Sequence, residues 1–214
     1  MDEDITIINT NTRNEKIKNF FVNNKKKLII LLSIIILLFL SYLAFGEIKK
    51  RSKVKLANKY NATSINFISG NKLNVENEMV KIIEARDKTY SPLALYFLID
   101  NNIIVSEKKI NRLFDILIND TKVDKEIKNL IIYKKALFNS DFETENNLLK
   151  ILNPVINSES IWKSHALYLL AEYFLSKNER HKSKEFFEKI LILENSNPNI
   201  KLEAQKRIQR DFSE

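Results

Sequence analysis

The chain has 214 residues, 35 Lys and Arg against 27 Asp and Glu, and neither a disulfide nor a reactive thiol is open to it because it has no Cys. Two glycines, Gly46 and Gly70, are too few for a phosphate-cradling loop, and two histidines, His165 and His181, leave almost no material for a zinc site or a His-based triad. Few Gly and Pro with abundant Leu, Ile, Lys, Glu and Asn point to helices in one or two domains.

Charge is unevenly placed. Residues 1–27 carry 6 basic and 4 acidic side chains, residues 28–45 carry none, residues 46–60 carry 6 against 1, and residues 61–214 carry 23 against 22. The basic excess therefore brackets one apolar segment, and the bulk of the chain is near neutral. That argues against nucleic acid, which needs a basic face on a folded domain. It suits lysines lying against anionic lipid headgroups.

In chain order, a polar tail of residues 1–27 comes first. The span Leu28 to Phe45 then reads LIILLSIIILLFLSYLAF, 18 positions without a charge. As a helix it would be about 27 Å long, close to a bilayer core. Ser33 and Ser41 are tolerated because each can bond back to a helix carbonyl, and Tyr42 suits an interface. Lys25, Lys26 and Lys27 on one side, and Lys49, Lys50 and Arg51 on the other, are expected to stop the helix and face the headgroups. The run outlasts the apolar region of a cleaved signal peptide, so an anchor is the expectation. Orientation is tied: six basic residues within about 20 positions precede the span and six follow it.

Residues 46–214 read as a succession of helices. Leu56, Tyr60, Thr63 and Phe67 recur at helical spacing, and Gly70-Asn71 turns the chain. Val75, Met79, Ile82 and Ile83 form the next stripe. Ser91-Pro92 is expected to open a helix with Ser91 as cap, Ser106 to open another, and Asp141 to cap a later one. From Trp162 to Phe174 the pattern is apolar nearly all round, so that helix must be covered on several sides. Lys177-Asn178 ends it, an amphipathic helix through Ser183, Phe187 and Ile190 follows, and Pro198 can open a last helix from Leu202 to Phe212.

Second helices are expected to start near 106, 142 and 179, about 36 and 37 residues apart. That is close to the roughly 34 of a tetratricopeptide repeat. Leu167-x2-Leu170-Ala171-x2-Phe174 followed by Ser183-x3-Phe187 meets its physical demand, with small residues at a helix crossing and large apolar ones around it. Leu stands for Trp, Ala for Gly and Ser for Ala, so the match is degenerate. The fold expected is all-α: one N-terminal transmembrane helix, residues 28–45, followed by a tetratricopeptide-like α-solenoid of helix pairs over 46–214. An unrelated helical bundle is the alternative. Leu167, Leu170, Ala171, Phe174, Ser183, Phe187 and Ile190 are the expected repeat-packing residues.

The layout resembles the ancillary SecYEG translocon subunit family, also called YfgM-like, of Gram-negative bacteria. The markers are Lys16-Ile17-Lys18-Asn19-Phe20-Phe21 leading through Asn23-Asn24-Lys25-Lys26-Lys27 into the span, Tyr90-Ser91-Pro92-Leu93-Ala94, and Leu169-Leu170-Ala171-Glu172 through Phe187. The resemblance implies a cytoplasmic tail, an inner-membrane span and a periplasmic repeat domain. It also implies a non-enzymatic adaptor, partnered by SecYEG and by a PpiD-like periplasmic chaperone, that assists proteins leaving the translocon. The basic run from Lys49 to Lys59 departs from a simple positive-inside reading of that orientation. A general scaffold of another inner-membrane or envelope-assembly complex would have the same architecture.

No catalytic, cofactor-binding or metal-binding residue stands out, and no small-molecule substrate or cofactor is expected. His165 is expected at the exposed edge of its helix and His181 in a turn. Trp162 reads as core rather than as a binding anchor. Tyr168 and Glu172, one turn apart, are the candidate partner surface, because the concave face of stacked repeats is the usual binding surface. Lys25, Lys26 and Lys27 read as a topology and headgroup signal, with docking of an acidic cytosolic partner as the sharper alternative.

Overall fold

A computed structural model describes residues 2–70 and 73–212. Among these the fold is helical without strands, and the chain divides into two compact units, Met1–Lys55 and Leu56–Glu214.

The first unit is a single rod, the leading part of α1 (Asp2–Ile68). Contrary to expectation, the basic clusters do not stop this helix. Lysine is a good helix former and Gly46 costs the helix only about 1 kcal/mol, so charge ends the apolar stretch but not the hydrogen-bond ladder. The expected serine back-bonds are present: Ser33 Oγ donates to the Ile29 carbonyl at 2.9 Å and Ser41 Oγ to Leu37 at 2.8 Å. The apolar stretch is long enough to cross a membrane, and none of it is buried against other protein.

In the second unit the last turns of α1 are followed by α2 (Val75–Glu84), α3 (Tyr90–Asp100) and α4 (Glu107–Asp115). A π-helical turn, Ile116–Asp120, continues α4. Then come α5 (Lys125–Asn139), α6 (Glu145–Ile156), α7 (Lys163–Ser176), α8 (Arg180–Ile192) and α9 (Pro198–Phe212). Helices touch chiefly their neighbours in the chain: α2 with α3, α5 with α6, α7 with α8 and α8 with α9.

With so few glycines, asparagine closes two of the helices, while Arg86 takes the left-handed position after α2 and Gly70 the one after α1. Asn102 and Asn178 adopt left-handed φ of 51° and 62° just after α3 and α7. In each turn the next residue's N–H reaches back to the helix, Ile103 to the Leu98 carbonyl and Glu179 to Phe174, both at 2.9 Å. Asparagine tolerates this conformation better than other side-chain-bearing residues, so it takes the place glycine usually holds.

The helix starts differ from expectation in three places. Ser91 is not a cap. The α3 start is held by Asp87, whose Oδ1 accepts from Thr89 and Tyr90 N–H, while Ser91 lies buried inside the helix and donates to the Ile82 carbonyl at 2.7 Å. The longer reach of the aspartate lets it cap from outside the turn. Thr144, not Asp141, caps α6, accepting from Asn147 N–H. Pro198 opens the last helix as expected, with Asn197 accepting from Asn199 and Ile200 N–H, so the helix starts about a turn before the expected Leu202. Ser106 caps α4 as expected.

Three apolar clusters run along this unit. Met79, Ile83, Leu95, Leu98 and Phe114 centre the first, joined by Tyr60 and Phe67 of α1 against Phe97. Leu148, Leu152, Leu170 and Phe174 centre the second, and Leu167, Ala171, Phe187, Ile190 and Ala204 the third. Each fully buried Leu, Ile or Phe stabilises the fold by roughly 1.5–3 kcal/mol. An amide pair links α4 to α5, with Asn139 and the half-buried Asn111 exchanging hydrogen bonds of 2.8 and 2.9 Å. Asn139 is fully enclosed, so a slip of α5 against α4 would leave it unsatisfied.

Candidate functional site

The seven residues expected at the crossing, Leu167, Leu170, Ala171, Phe174, Ser183, Phe187 and Ile190, are all buried, and the apolar ones divide between two clusters. Leu170 and Phe174 join the cluster with α5 and α6, whereas Leu167 and Ala171 of α7 pack with Phe187 and Ile190 of α8 and with α9. Helix α7 is thus covered on two sides, which is why its sequence is apolar nearly all round. Ala171 and Ser183 are both fully buried, and Ser183 Oγ donates to the Ala171 carbonyl at 2.8 Å. A larger side chain at either position would force the helices apart.

Tyr168 and Glu172 are half-buried, and each is engaged by another helix of the unit. The Tyr168 ring packs edge-on against Phe187, centroids 5.5 Å apart. The Arg207 guanidinium of α9 grips the Glu172 carboxylate with two nitrogens, the Nε–Oε1 contact being 2.6 Å. Burial, followed by the neighbouring Glu172 charge, pushes the Tyr168 hydroxyl up to about 12. The sequence pattern places these residues on a helix face but gives no sign that α9 returns to cover it. The only hint is Arg207 standing on the face of α9 that carries Ala204, Ile208 and Asp211.

What α9 leaves open is a cleft of about 480 Å³ beside α6, α7 and α8. Ile156, Leu167, Phe186, Ile192 and Leu193 supply its apolar lining, and Lys163, Lys189, Glu159 and Glu194 its charges. Ile192 is 81% exposed although it belongs to a well-formed helix. Lys189 Nζ lies 4.7 Å from the Phe186 ring centroid and 2.7 Å from Glu185, which keeps that lysine folded over the ring. The lining mixes apolar walls with both signs of charge, a composition suited to a peptide or helix surface.

Trp162 packs into the unit, stacked on Tyr133 with centroids 6.0 Å apart, as the core reading requires. His165 departs from expectation. It stands half-buried beside both rings, 5.0 Å from Trp162, with Nδ1 enclosed and without a hydrogen-bond partner. Burial holds its pKa below the ordinary histidine value. The ring meets Tyr133 edge-on at 5.8 Å, a contact between α5 and α7 that a helical wheel alone does not reveal. His181 lies in the first turn of α8 rather than in a loop. Among the described residues no three His, Cys, Asp or Glu side chains gather as a metal-ligand group.

On the rod, Lys25, Lys26, Lys27, Lys49 and Lys50 are exposed, and Arg51 is tied to Glu47 one turn back at 2.8 Å. They flank an apolar stretch in which Leu37 is 66% exposed. No family model, curated protein or solved structure matches the chain.

Proposed function

We propose that this chain is a membrane-tethered, non-enzymatic adaptor whose helical unit holds other proteins. The observation that carries the tether is the 18-residue uncharged stretch inside α1, which is unburied along its whole length. Leaving so many Leu, Ile and Phe side chains in water costs roughly 1.5–3 kcal/mol each, and a bilayer relieves it.

A tetratricopeptide-like solenoid is supported by the regular spacing of helix starts. Helices α3, α5, α7 and α9 begin at residues 90, 125, 163 and 198, successive steps of 35, 38 and 35. A step of about 34 is the tetratricopeptide period. Contacts that run chiefly to the next helix or the one after it are what stacked pairs produce.

The partner reading follows from the sequence resemblance: the SecYEG channel and a PpiD-like chaperone, with the span in a bacterial inner membrane, the N-terminus cytoplasmic and the helical unit periplasmic. The cleft beside α6, α7 and α8 is the surface best shaped for such contacts. Photocrosslinkers placed in residues 46–60 and in the cleft should recover translocon or chaperone subunits from native membranes. Recovery of a different envelope complex would reassign the chain to a general scaffold. A C-terminal reporter active only in the cytoplasm would end the periplasmic placement.

A further inference from the structure

We propose that residues 13–27 are a second lipid-contacting element, an amphipathic helix that lies on the anionic surface of the leaflet next to the span. The inference rests on the membrane reading above and adds to it.

Around the axis of α1, at about 100° per residue, Ile17, Phe20, Phe21 and Leu28 share one arc of about 100°, broken only by Asn24 and, at its far end, Arg13. Ile17, Phe20 and Phe21 are each about half exposed. Lys18 and Lys25 border this arc on one side, Lys16 and Lys27 on the other, while Glu15, Asn19 and Lys26 face away together with one apolar residue, Val22. Lysines on both shoulders of an apolar arc are the pattern of an interfacial helix, their stems lying on the apolar surface and their ammonium groups reaching the headgroups.

Distance makes the arc unexplained by the span alone. Ile17 lies eleven residues before Leu28, about 16 Å along the axis, and Phe20 about 12 Å. The headgroup layer is only about 5–7 Å deep on each side. A helix standing along the bilayer normal would hold both phenylalanines in water. The same arc runs on into the span through Leu31, Leu32 and Ile35, which share an apolar furrow of about 590 Å³ with Phe21, Val22 and Leu28. Laying the rod down toward that side buries the arc and the furrow together. Asn23 and Asn24 are where it bends most cheaply, since asparagine is a poor helix former and the Asn24 side chain already donates to the Phe20 carbonyl at 2.9 Å.

Charge selects the occupant. Residues 13–27 carry six basic side chains against Glu15 alone, and the acidic residues Asp2, Glu3 and Asp4 stand nine or more positions before Arg13. A surface of anionic phospholipid complements that excess and also accepts the aromatic rings, with attraction of roughly 1 kcal/mol per lysine near the surface.

The chain has no native Cys, so single cysteines can be placed in the full-length protein without background. Ile17→Cys reports the arc, Asn19→Cys the opposite side and Leu37→Cys the span. Each variant is held as single chains in nanodiscs, which expose both leaflets, made of phosphatidylcholine alone or with one quarter phosphatidylglycerol. The rate of alkylation by a water-soluble maleimide is then measured. The Ile17→Cys variant should react at least tenfold more slowly with phosphatidylglycerol present. The Asn19→Cys variant should react fast in both lipids, and the Leu37→Cys variant in neither. Adding F20S and F21S to the Ile17→Cys variant should restore fast reaction.

Equal rates for the Ile17→Cys and Asn19→Cys variants in the anionic discs would overturn the proposal. So would protection of the arc thiol that ignores lipid charge, or protection that needs an added protein. Fast reaction of the Leu37→Cys variant would instead overturn the span, and that result is distinct from the other outcomes.

Discussion

The rod and the helical unit use the same side chains in opposite ways. Leu37 and Leu38 stand well over half exposed on the rod, whereas Leu98, Leu148 and Leu170 are fully enclosed in the second unit. In the unit, each apolar stripe has a neighbouring helix to cover it, and α7, apolar nearly all round, has neighbours on two sides. The rod's middle also has apolar residues all round, but no other helix covers it. The lesson is that the presence of covering neighbours, more than hydrophobicity itself, separates a helix built for a protein interior from one built for lipid.

The comparison breaks most sharply where charge enters the rod. Replacing Ile35 and Leu38 together by Asp costs roughly 2.5–3.5 kcal/mol each at a bilayer centre. Most of the chain should then appear in the supernatant after an alkaline carbonate wash of membranes, with its helical circular dichroism retained. Persistence in the pellet would mean that something other than the span holds the protein down.

A truncation applied to both regions sharpens the contrast. Phe174→Ala, which empties a site stacked against Phe186 at 5.4 Å, should lose about 3–5 kcal/mol from the unfolding of the helical unit. Leu37→Ala should leave that transition in place. Urea unfolding of the detergent-solubilised chain, followed by Trp162 fluorescence, distinguishes the two.

The amide pair offers a smaller and more specific effect. Asn139→Ala strands Asn111 and should cost about 1–3 kcal/mol, whereas the double variant with Asn111→Ala should recover part of that loss, because no amide is then left unpaired. A double-mutant cycle by urea unfolding checks the coupling, and purely additive losses would show that the two amides do not act together.

The smallest effect is one of pH. Glu78 is held down to about 2 by hydrogen bonds from Lys59 and Lys81, the first bridging α1 to α2 at 2.7 Å. A carboxylate with a depressed pKa contributes stability above its ordinary value of 4.5, and that contribution is lost as pH falls from there toward 2. The site is partly solvated, so the amount is about 0.5 kcal/mol. Glu78→Gln should therefore flatten the unfolding midpoint between pH 5 and 2.5 slightly, leaving it otherwise parallel to the unmodified chain.

Much of the helical unit is legible in sequence because its signals are local. Ser106 caps a helix, Asn178 turns the chain, and Ala171 with Ser183 marks a close crossing. The displaced starts at Ser91 and Asp141 are also local, but there two candidate caps compete and a longer reach or better geometry wins. The covering of Tyr168 and Glu172 has a different origin. The helical pattern puts both on the right face of the right helix, and nothing within that helix signals that another one lies over the face.

The order of residues by itself determined the helical class, the apolar stretch from Leu28 to Phe45 with its basic flanks, and the small residues at which α7 and α8 cross. These depend on propensity, period and charge within a few turns of the chain. Only the tertiary structure decided that α9 folds back to take Glu172 in the grip of Arg207, that His165 stands edge-on to Tyr133 of α5, and that the open cleft lies beside Phe186 and Ile192. The Glu172–Arg207 and Tyr133–His165 contacts join residues 35 and 32 positions apart, and a pattern read along one helix contains no information about which neighbour comes to lie against it.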